Sequence, residues 1–419
     1  MRSTDELHDR LLKRFLDYAR RSTQSDETNP AMPSTASQLR FMRRLQKELR
    51  DMGVEDLELD AFGILYARLP ATVKDAPSLG FCAHVDTVDV GLSPRVRPQV
   101  LAYAGKDLVL NEETGYVFKA AEHPELEPFV GEKVVFSDGT SVLGADDKAG
   151  VAAIVTMLEE LLLARRGHGE VYAAFFPDEE IGLRGGRSVD LARYRPDYSF
   201  TVDGCALGEV EYETFNAAAA TIVIEGVSVH PGSAKGVLVN PVLVAADIVN
   251  AFDRDDAPEN SEGYQGYFWV SSIEGDPSVA RLRVTIRDFD RNAFEQRKRK
   301  VCEIVRAAGD AHPRAKITLS IEDSYANIAD SMRDMAPVQL VGRALQLLGV
   351  PARSVPVRGG TDGSAMSARG LPTPNIFTGG LNPHAAFECL PVRSLQACCD
   401  TLLKMVEIVA GNNREKDFA

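Results

Sequence analysis

Three of the seven histidines in this chain of 419 residues lie in short segments that also hold carboxylates or turn-forming residues. They are His84 in CAHVDTVD, His230 in SVHPGSAKG and His384 in TGGLNPHAAFE. The carboxylates that could act with them also occur in clusters, which are Asp146 and Asp147 in LGADDKAG, Glu179 and Glu180 in FFPDEEIG, and Asp203 in TVDG. Histidine and carboxylate side chains together indicate a site for a divalent metal ion.

Two histidines and three carboxylates, one of them bridging, would give each of two metal ions three protein ligands. Each ion would then keep an open position for water, which is typical of catalytic rather than structural zinc sites. Zinc, cobalt and manganese all suit such a ligand set. A further carboxylate that binds no metal would have to accept the proton of the water.

Asp86 follows His84 by two residues, so the two side chains lie on the same face of the predicted strand. Asp86 can therefore hold the imidazole nitrogen that does not bind metal, which fixes the tautomer of His84. Taken alone, a pair such as Glu179–Glu180 is more often part of an exposed loop or a helix start. The prediction therefore depends on several clusters that all stand at the end of a strand or the start of a helix.

The pattern of the elements that carry these clusters predicts an open α/β sheet. Apolar strands are predicted over 78–85, 171–176 and 198–202, and each is followed by acidic residues or histidine. A helix over 146–164 begins with the Asp146–Asp147 pair. Because ligands bind at the carboxyl ends of strands in such sheets, the clusters should converge there.

The pattern changes between residues 213 and 325, where strands alternate polar and apolar residues and helices are predicted over 240–252 and 291–309. This stretch is predicted to be an inserted α+β domain. Strand and helix then alternate again, so residues 1–212 and 326–419 together form one discontinuous catalytic domain.

Composition argues against several functions. The chain has 47 Lys and Arg against 61 Asp and Glu, a net charge of −14, which does not suit a nucleic-acid binder or an anionic membrane surface. The sequence has no signal-peptide pattern and no apolar run long enough to span a bilayer. Its six cysteines form no CxxC pair. We expect a cytoplasmic protein with no nucleic-acid or membrane partner.

Nine segments in order resemble the peptidase T branch of the dizinc aminoacylase/carboxypeptidase-like metallopeptidase family. They are YARRSTQSDE, CAHVDT, LGADDKAGVAA, FPDEEIG, FTVDG, VHPGSAKGVLVN, RDFDR, RGGTDGS and NIFTGG, and the resemblance in order and spacing covers the chain from about residue 10 to residue 408. The resemblance implies an open mixed-sheet zinc-exopeptidase catalytic domain with an inserted α+β lid or dimerisation domain. A homodimer through the inserted domain is a further expectation.

The resemblance also implies a role for each ligand. His84 and Asp203 would bind the first metal ion, Glu180 and His384 the second, and Asp146 would bridge both. Two Zn²⁺ per subunit are expected, with Co²⁺ or Mn²⁺ as alternatives. The family further has a cis peptide bond after the bridging aspartate, here between Asp146 and Asp147.

Four more residues take catalytic or substrate-binding roles by the same resemblance. Glu179 would be the general base, and His230 would reach the active site from the inserted domain to stabilise the oxyanion. Arg287 and Arg358 would bind a substrate carboxylate. The alternative for Arg287 is a strand-edge salt bridge with an aspartate that follows it, either Asp288 or Asp290.

The function implied is a dizinc aminopeptidase that removes the N-terminal residue of short peptides, notably tripeptides, by a metal-bridging water activated by Glu179. The alternatives are a related dipeptidase, a carboxypeptidase, an N-acyl amino acid deacylase, or a non-catalytic peptide-binding protein on the same fold. Phe387 stands where the branch carries a second histidine, which leaves the ligands intact but changes their surroundings. Asn240 either lines the substrate pocket or caps the following helix, and we favour the cap.

Overall fold

The computed structural model describes residues 4–411, along which the chain forms ten α-helices and seventeen β-strands. The helices are α1 (Thr4–Ala19), α2 (Ala36–Met52), α3 (Ala145–Ala164), α4 (Arg184–Ser188), α5 (Pro241–Asn250), α6 (Arg291–Ala311), α7 (Ile328–Ser331), α8 (Ala336–Leu348), α9 (Asp362–Ala368) and α10 (Val392–Gly411). The strands are β1 (Asp56–Leu59), β2 (Leu65–Leu69), β3 (Leu79–His84), β4 (Gln99–Ala102), β5 (Leu108–Asn111), β6 (Tyr116–Phe118), β7 (Lys133–Phe136), β8 (Val171–Phe176), β9 (Tyr198–Gly204), β10 (Glu209–Glu211), β11 (Asn216–Glu225), β12 (Tyr267–Gly275), β13 (Val279–Asp288), β14 (Lys316–Tyr325), β15 (Arg353–Ser354), β16 (Asn375–Phe377) and β17 (Cys389–Pro391).

The chain divides into two compact units. Unit 1 comprises Met1–Tyr212, Met332–Val355 and Thr361–Ala419, and unit 2 comprises Glu213–Ser331 and Pro356–Gly360. Unit 2 extends past the predicted boundary at residue 325, because Asn327 binds back to the start of the unit. Its side-chain oxygen accepts from the main-chain nitrogen of Thr214 at 2.9 Å. Val357 likewise pairs with Thr214 as an isolated parallel bridge.

Unit 1 is built on an eight-stranded mixed sheet in the order β1-β2-β8-β3-β9-β16-β10-β15. Its four central strands, β8, β3, β9 and β16, run parallel to one another. Strands β3 and β8 are buried along their whole length, as expected for strands covered on both faces. The carboxyl ends of these four strands therefore share one edge of the sheet.

Helix α3 is the central helix of unit 1. It packs on β3 and β9 and also contacts α1 and α10. Fifteen of the twenty residues of α3 are buried, which agrees with a sequence that is apolar around most of the helix rather than along one stripe. This packing fixes the amino end of α3, where Asp146 lies, against the edge at which the parallel strands end.

Between β3 and α3 the chain makes an excursion over residues 85–144, which forms a small substructure together with β17. Strands β17, β7 and β4 make a three-stranded sheet, and β5 pairs with β6 as a hairpin. A separate apolar cluster fills this region and includes Phe118 and Phe136 from the excursion with Leu381 and Cys389 from the chain beyond β16. The loop between β16 and β17 is thereby joined to the excursion.

Unit 2 contains a four-stranded antiparallel sheet in the order β12-β13-β11-β14. The buried residues alternate along β13, as the sequence pattern predicts for a strand covered on one face. Helices α5 and α6 contact these strands, and their buried residues share one core with the sheet. The helices predicted over 240–252 and 291–309 are thus confirmed as α5 and α6.

Ser34 lies just before α2 but is not its N-cap residue. The structure places Thr35 at that position, one residue later, with no side-chain cap hydrogen bond. The Ser34 hydroxyl binds the carboxylate of Asp178 instead. None of the helices formed by residues 4–411 has the length and apolar character needed to cross a membrane.

Candidate metal centre

The parallel strands of unit 1 place predicted ligands at one edge of the sheet. His84 is the last residue of β3, and Asp203 lies near the end of β9. Glu179 and Glu180 follow β8 after a two-residue turn in which Asp178 has a left-handed backbone with φ of 58°. These elements bring the ligands together, as the sequence pattern predicts.

Asp146 enters from the amino end of α3, and the peptide bond between Asp146 and Asp147 is cis, as the resemblance predicts. The buried carboxylate of Glu388 holds this turn. It accepts hydrogen bonds from the main-chain nitrogens of Asp146 at 3.1 Å and Gly144 at 2.8 Å. Glu388 and the predicted ligand His384 belong to one loop, so this loop both provides one predicted ligand and supports another, Asp146.

The carboxylate of Asp146 lies between the two histidines. Its Oδ1 is 2.9 Å from Nε2 of His84, and its Oδ2 is 3.2 Å from Nε2 of His384. Each histidine has a second carboxylate beside the same nitrogen. Oδ1 of Asp203 is 3.5 Å from His84 Nε2, and Oε1 of Glu180 is 2.9 Å from His384 Nε2. Two groups of candidate ligands therefore share Asp146, one with His84 and Asp203 and the other with His384 and Glu180.

These residues fit a pair of divalent ions. Oε1 of Glu180 is buried and has no hydrogen-bond partner among the described residues, although His384 Nε2 is only 2.9 Å away. Two imidazoles and three carboxylates also match the preferences of zinc, cobalt and manganese. Each ion would have three protein ligands and retain an open position, as catalytic sites require.

Asp147 is close enough to His84 and Asp203 to be a fourth candidate ligand. Its oxygens, however, accept hydrogen bonds from the main-chain nitrogens of His84 at 3.2 Å and Gly150 at 3.1 Å. The side chain is also fully buried. We therefore assign Asp147 to holding the backbone around the centre rather than to binding metal.

The buried Asp86 lies behind His84. His84 Nδ1 is 3.0 Å from the main-chain oxygen of Asp86 and 3.4 Å from its Oδ1. A neutral His84 that donates from Nδ1 keeps the lone pair of Nε2 directed to the ligand cluster. The Asp86 carboxylate also accepts from the main-chain nitrogens of Glu179 at 2.9 Å and Glu180 at 3.2 Å. Asp86 thus connects the two loops that carry predicted ligands.

The crowding of carboxylates perturbs their proton affinity. Burial, together with the charge of Asp146, raises the pKa of Glu180 to about 7. Burial also raises the pKa of Asp203 to about 6. The adjacent carboxylates of Asp146 and Glu180 raise the pKa of His384 to about 10. A divalent cation would offset the negative charge that these shifts reflect.

Glu179 lies beside the cluster without belonging to either group of ligands. Burial and the nearby carboxylates of Glu180 and Asp203 raise its pKa well above the usual value. No described residue donates a hydrogen bond to its carboxylate, whereas its main-chain nitrogen is held by Asp86. The side chain is therefore available as a proton acceptor next to the metal ligands.

The other three predicted site residues, His230, Arg287 and Arg358, lie in unit 2. His230 is exposed, and its Nδ1 accepts a hydrogen bond from the main-chain nitrogen of Gly232 at 3.1 Å. A neutral His230 with this partner must carry its proton on Nε2. The ring can then donate a hydrogen bond to a ligand oxygen.

The two arginines differ in how their guanidinium groups are used. Arg287 donates to the main-chain oxygen of Ile286 at 3.1 Å and forms no ion pair with a described carboxylate, so the salt bridge with Asp288 or Asp290 is not formed. Arg358 donates to the main-chain oxygens of Gly263 and Gln265 and to the hydroxyl of Ser261. Arg358 thus already serves to hold a loop of unit 2.

Asn240 is the N-cap of α5, and its side chain accepts from the main-chain nitrogen of Val242 at 3.0 Å. The preferred interpretation as a helix cap is confirmed. Two residues that sequence reasoning did not single out, Asp178 and Glu388, each receive hydrogen bonds from distant segments. Their only sequence signal is closeness to a predicted ligand.

Comparisons with known proteins agree with this arrangement. Residues 143–408 match the model of peptidase family M20/M25/M40. A peptidase T-like protein of Yersinia pestis is 47% identical over 392 residues, which cover 93% of this chain and 95% of that protein. A peptidase T of Exiguobacterium sp. is 42% identical over 405 residues, covering 96% and 98% respectively.

The fold is also similar to a solved structure. The crystal structure of an aminopeptidase PepT from Bacillus cereus superposes with a TM-score of 0.75 at 20% sequence identity, covering 96% of this chain and 99% of that chain. The family match extends over more than half of the chain. The chain therefore belongs to peptidase family M20/M25/M40 and is a metal-dependent peptidase.

Proposed function

We propose that this peptidase is a dizinc aminopeptidase that releases the N-terminal residue of short peptides, with tripeptides as its main substrates. The observation that carries the proposal is the position of Asp146, whose two oxygens face Nε2 of His84 and Nε2 of His384 at 2.9 and 3.2 Å. Relatives named peptidase T support the choice of substrate.

Two divalent ions bound here would lower the pKa of a water molecule between them and polarise the scissile carbonyl. Glu179 would accept the proton of that water as it attacks the first peptide bond. The protonated Glu179 would then donate this proton to the nitrogen of the leaving peptide. Asp86 supports both steps, because it holds the main chain of Glu179 and lies behind His84.

Unit 2 would provide the remaining contacts to the substrate as a lid. His230 would donate from Nε2 to the carbonyl oxygen as negative charge develops on it. Arg287, which has no carboxylate partner among the described residues, would bind the substrate carboxylate through two hydrogen bonds. Arg358 would contribute less, because its guanidinium holds the loop of Gly263 and Gln265.

A substrate comparison on metal-loaded protein tests the proposal. The chain is dialysed against a chelator, reloaded with Zn²⁺, Co²⁺ or Mn²⁺, and given tri-alanine, di-alanine, tetra-alanine and N-acetyl-alanine. We expect metal-dependent release of alanine from tri-alanine, with much slower turnover of the other three. Faster turnover of di-alanine than of tri-alanine would indicate a dipeptidase instead, and faster turnover of N-acetyl-alanine would indicate a deacylase. The absence of turnover in protein that binds metal would favour a peptide-binding role.

A further inference from the structure

The ligand His384 lies in a loop whose backbone is unusual. Leu381 and Cys389 close the loop through two main-chain hydrogen bonds of 2.9 and 3.0 Å. We call residues 381–389 the His384 loop. Inside it, both Asn382 and His384 have left-handed backbones, with φ of 57° and 64°. Residues other than glycine seldom adopt this conformation, although asparagine tolerates it better than most.

Two left-handed residues in such a short stretch need contacts that hold them in place. The Nδ2 atom of Asn382 donates to Oε1 of Glu125 at 2.6 Å, a contact between positions 257 apart in the sequence. Glu125 also lies 3.0 Å from Nδ1 of His123. Burial alone would raise the pKa of Glu125. The hydrogen bonds with Asn382 and His123 lower the pKa by more than burial raises it, so the pKa lies below the usual value. The carboxylate is therefore charged, which strengthens the bond to Asn382.

His123 contacts the His384 loop at a second point. Its ring is buried and stacks on Phe118 with centroids 4.4 Å apart, while the ring of Phe387 lies 4.6 Å away on a tilt of 44°. Phe387 is three residues after His384, and Asn382 is two residues before it. The His123–Glu125 pair therefore holds the loop on both sides of the ligand.

No other described side chain forms a hydrogen bond with the side chain of Asn382. Glu388 supports the other end of the loop, but its carboxylate binds the turn of Asp146 rather than the left-handed residues. The left-handed stretch thus depends on Glu125. A change at Glu125 should therefore alter the direction in which Nε2 of His384 points.

We propose that Glu125 is a positioning residue for the second metal ion, because through Asn382 it fixes the backbone that aims His384 at Asp146 and Glu180. This inference rests on the proposed function, since it requires a second ion at His384. It predicts that loss of Glu125 weakens one metal site and leaves the site of His84 and Asp203 unchanged.

The test is a titration of the chelator-treated chain with Co²⁺, in which the visible absorbance of the bound ion measures binding. Supporting residues behind a metal ligand typically change metal affinity by about 10–100-fold. For Glu125→Ala we expect one of two dissociation constants to rise by about tenfold or more. The other dissociation constant should equal that of the unaltered chain. This readout does not depend on activity.

Glu132→Ala is the matched control. Glu132 and Glu125 are equally exposed, each with 32% of the side chain accessible, and Glu132 pairs with Arg393 rather than with the His384 loop. Both dissociation constants should therefore stay unchanged in Glu132→Ala. Glu125→Gln keeps an acceptor oxygen for Asn382, so its constants should lie within about threefold of the unaltered chain. An equal loss in Glu125→Gln and Glu125→Ala would contradict transmission through this bond.

Asn382→Ala removes the same hydrogen bond from the other side and tests the proposal even if Glu125→Ala folds poorly. It should weaken the same metal site, and the double variant should lose little more than either single variant. Two unchanged constants in Glu125→Ala or Asn382→Ala would overturn the inference. An unaltered chain that binds only one cobalt ion would instead overturn the proposed function, so the two failures are distinguishable.

Discussion

Negative charge exceeds positive charge among the residues that meet at the edge of the unit 1 sheet. Glu179, Glu180 and Asp203 all have raised pKa values, chiefly because they are buried. Burial of several carboxylates is unfavourable unless cations or protons compensate their charge. Two divalent ions would provide that compensation, so at the scale of single residues the metals would stabilise the fold as well as activate water.

The role proposed for Glu179, accepting the proton of a water molecule, requires a carboxylate and could not be performed by an amide. Glu179→Gln keeps the size and the main-chain bond to Asp86, but an amide cannot accept the proton of water. We expect kcat for tri-alanine to fall by about 10²–10⁴-fold with little change in KM. Steady-state kinetics and the measured metal content check this prediction. A variant with full kcat and two bound ions would exclude Glu179 as the base.

Glu211 should make the stability of unit 1 depend on pH. It is buried, and burial raises its pKa from 4.5 to about 7 in the folded chain. The folded chain thus holds this proton more tightly than the unfolded chain does. The contribution of the protonated Glu211 to the free energy of unfolding is complete below about pH 4.5. It is lost as the pH rises through 7, at up to about 1.4 kcal/mol per pH unit.

Glu211→Gln removes this titration and keeps an acceptor for Asn375, whose Nδ2 is 3.1 Å from the Glu211 carboxylate. The free energy of unfolding from urea denaturation should be compared at pH 5 and pH 8 with metal present. We expect the variant to gain stability relative to the unaltered chain at pH 8 and not at pH 5. An equal difference at both pH values would contradict the raised pKa.

At the scale of elements, the loop after β8 is held to the start of α2 through Asp178. The carboxylate of Asp178 accepts from the main-chain nitrogen of Ser34 at 2.7 Å, from its hydroxyl, and from Nε2 of Gln38 at 2.6 Å. Asp178 is fully buried and directly precedes Glu179. The start of α2 thus helps to position the proposed base.

Asp178→Asn should therefore destabilise the chain. Asparagine tolerates the left-handed backbone at this position, but it has one acceptor oxygen where the Asp178 carboxylate uses both of its oxygens, and it carries no charge. Loss of a buried acceptor costs about 1–3 kcal/mol, so the free energy of unfolding should fall by about that amount. Urea denaturation measures it. Asp75→Asn is the matched control, since Asp75 has the same backbone conformation with φ of 61° but is exposed.

The sequence predicted the ligand-bearing elements well because local patterns define them. The apolar run 171–176 corresponds to β8, and the helix predicted over 146–164 corresponds to α3. Acidic residues follow β8 and stand at the start of α3. Because the parallel strands end at the same edge of the sheet, these acidic residues come together there. The contacts of Ser34 and Glu125 could not be predicted, because each joins segments more than a hundred positions apart and neither leaves a periodic pattern.

At the scale of the whole chain, the change in strand pattern near residue 213 marked the start of unit 2, while its end was harder to place. Asn327 and Val357 return to unit 2 by hydrogen bonds to its first residues, Glu213 to Asn216, and no shift in composition marks this return. Each unit has its own apolar core. One core surrounds α3 in unit 1, and the other lies between the four-stranded sheet and helices α5 and α6 in unit 2.

Separate cores predict separate responses to metal. A ligand that binds only the folded state stabilises it, by about 2.7 kcal/mol when its free concentration is 100 times the dissociation constant. The proposed ligands all lie in unit 1, whereas the single tryptophan, Trp269, lies half-exposed in unit 2. Far-ultraviolet circular dichroism reports on both units, and tryptophan emission reports on unit 2 alone.

Removal of metal by a chelator should therefore lower the midpoint of the main circular dichroism transition in urea and leave the midpoint of the Trp269 emission unchanged. His84→Ala, which lacks a ligand of the first ion, should show a smaller shift with chelator than the unaltered chain. If the Trp269 midpoint falls together with the circular dichroism midpoint, the two cores unfold as one cooperative system. In that case metal binding in unit 1 would also determine the stability of the unit that carries His230 and Arg287.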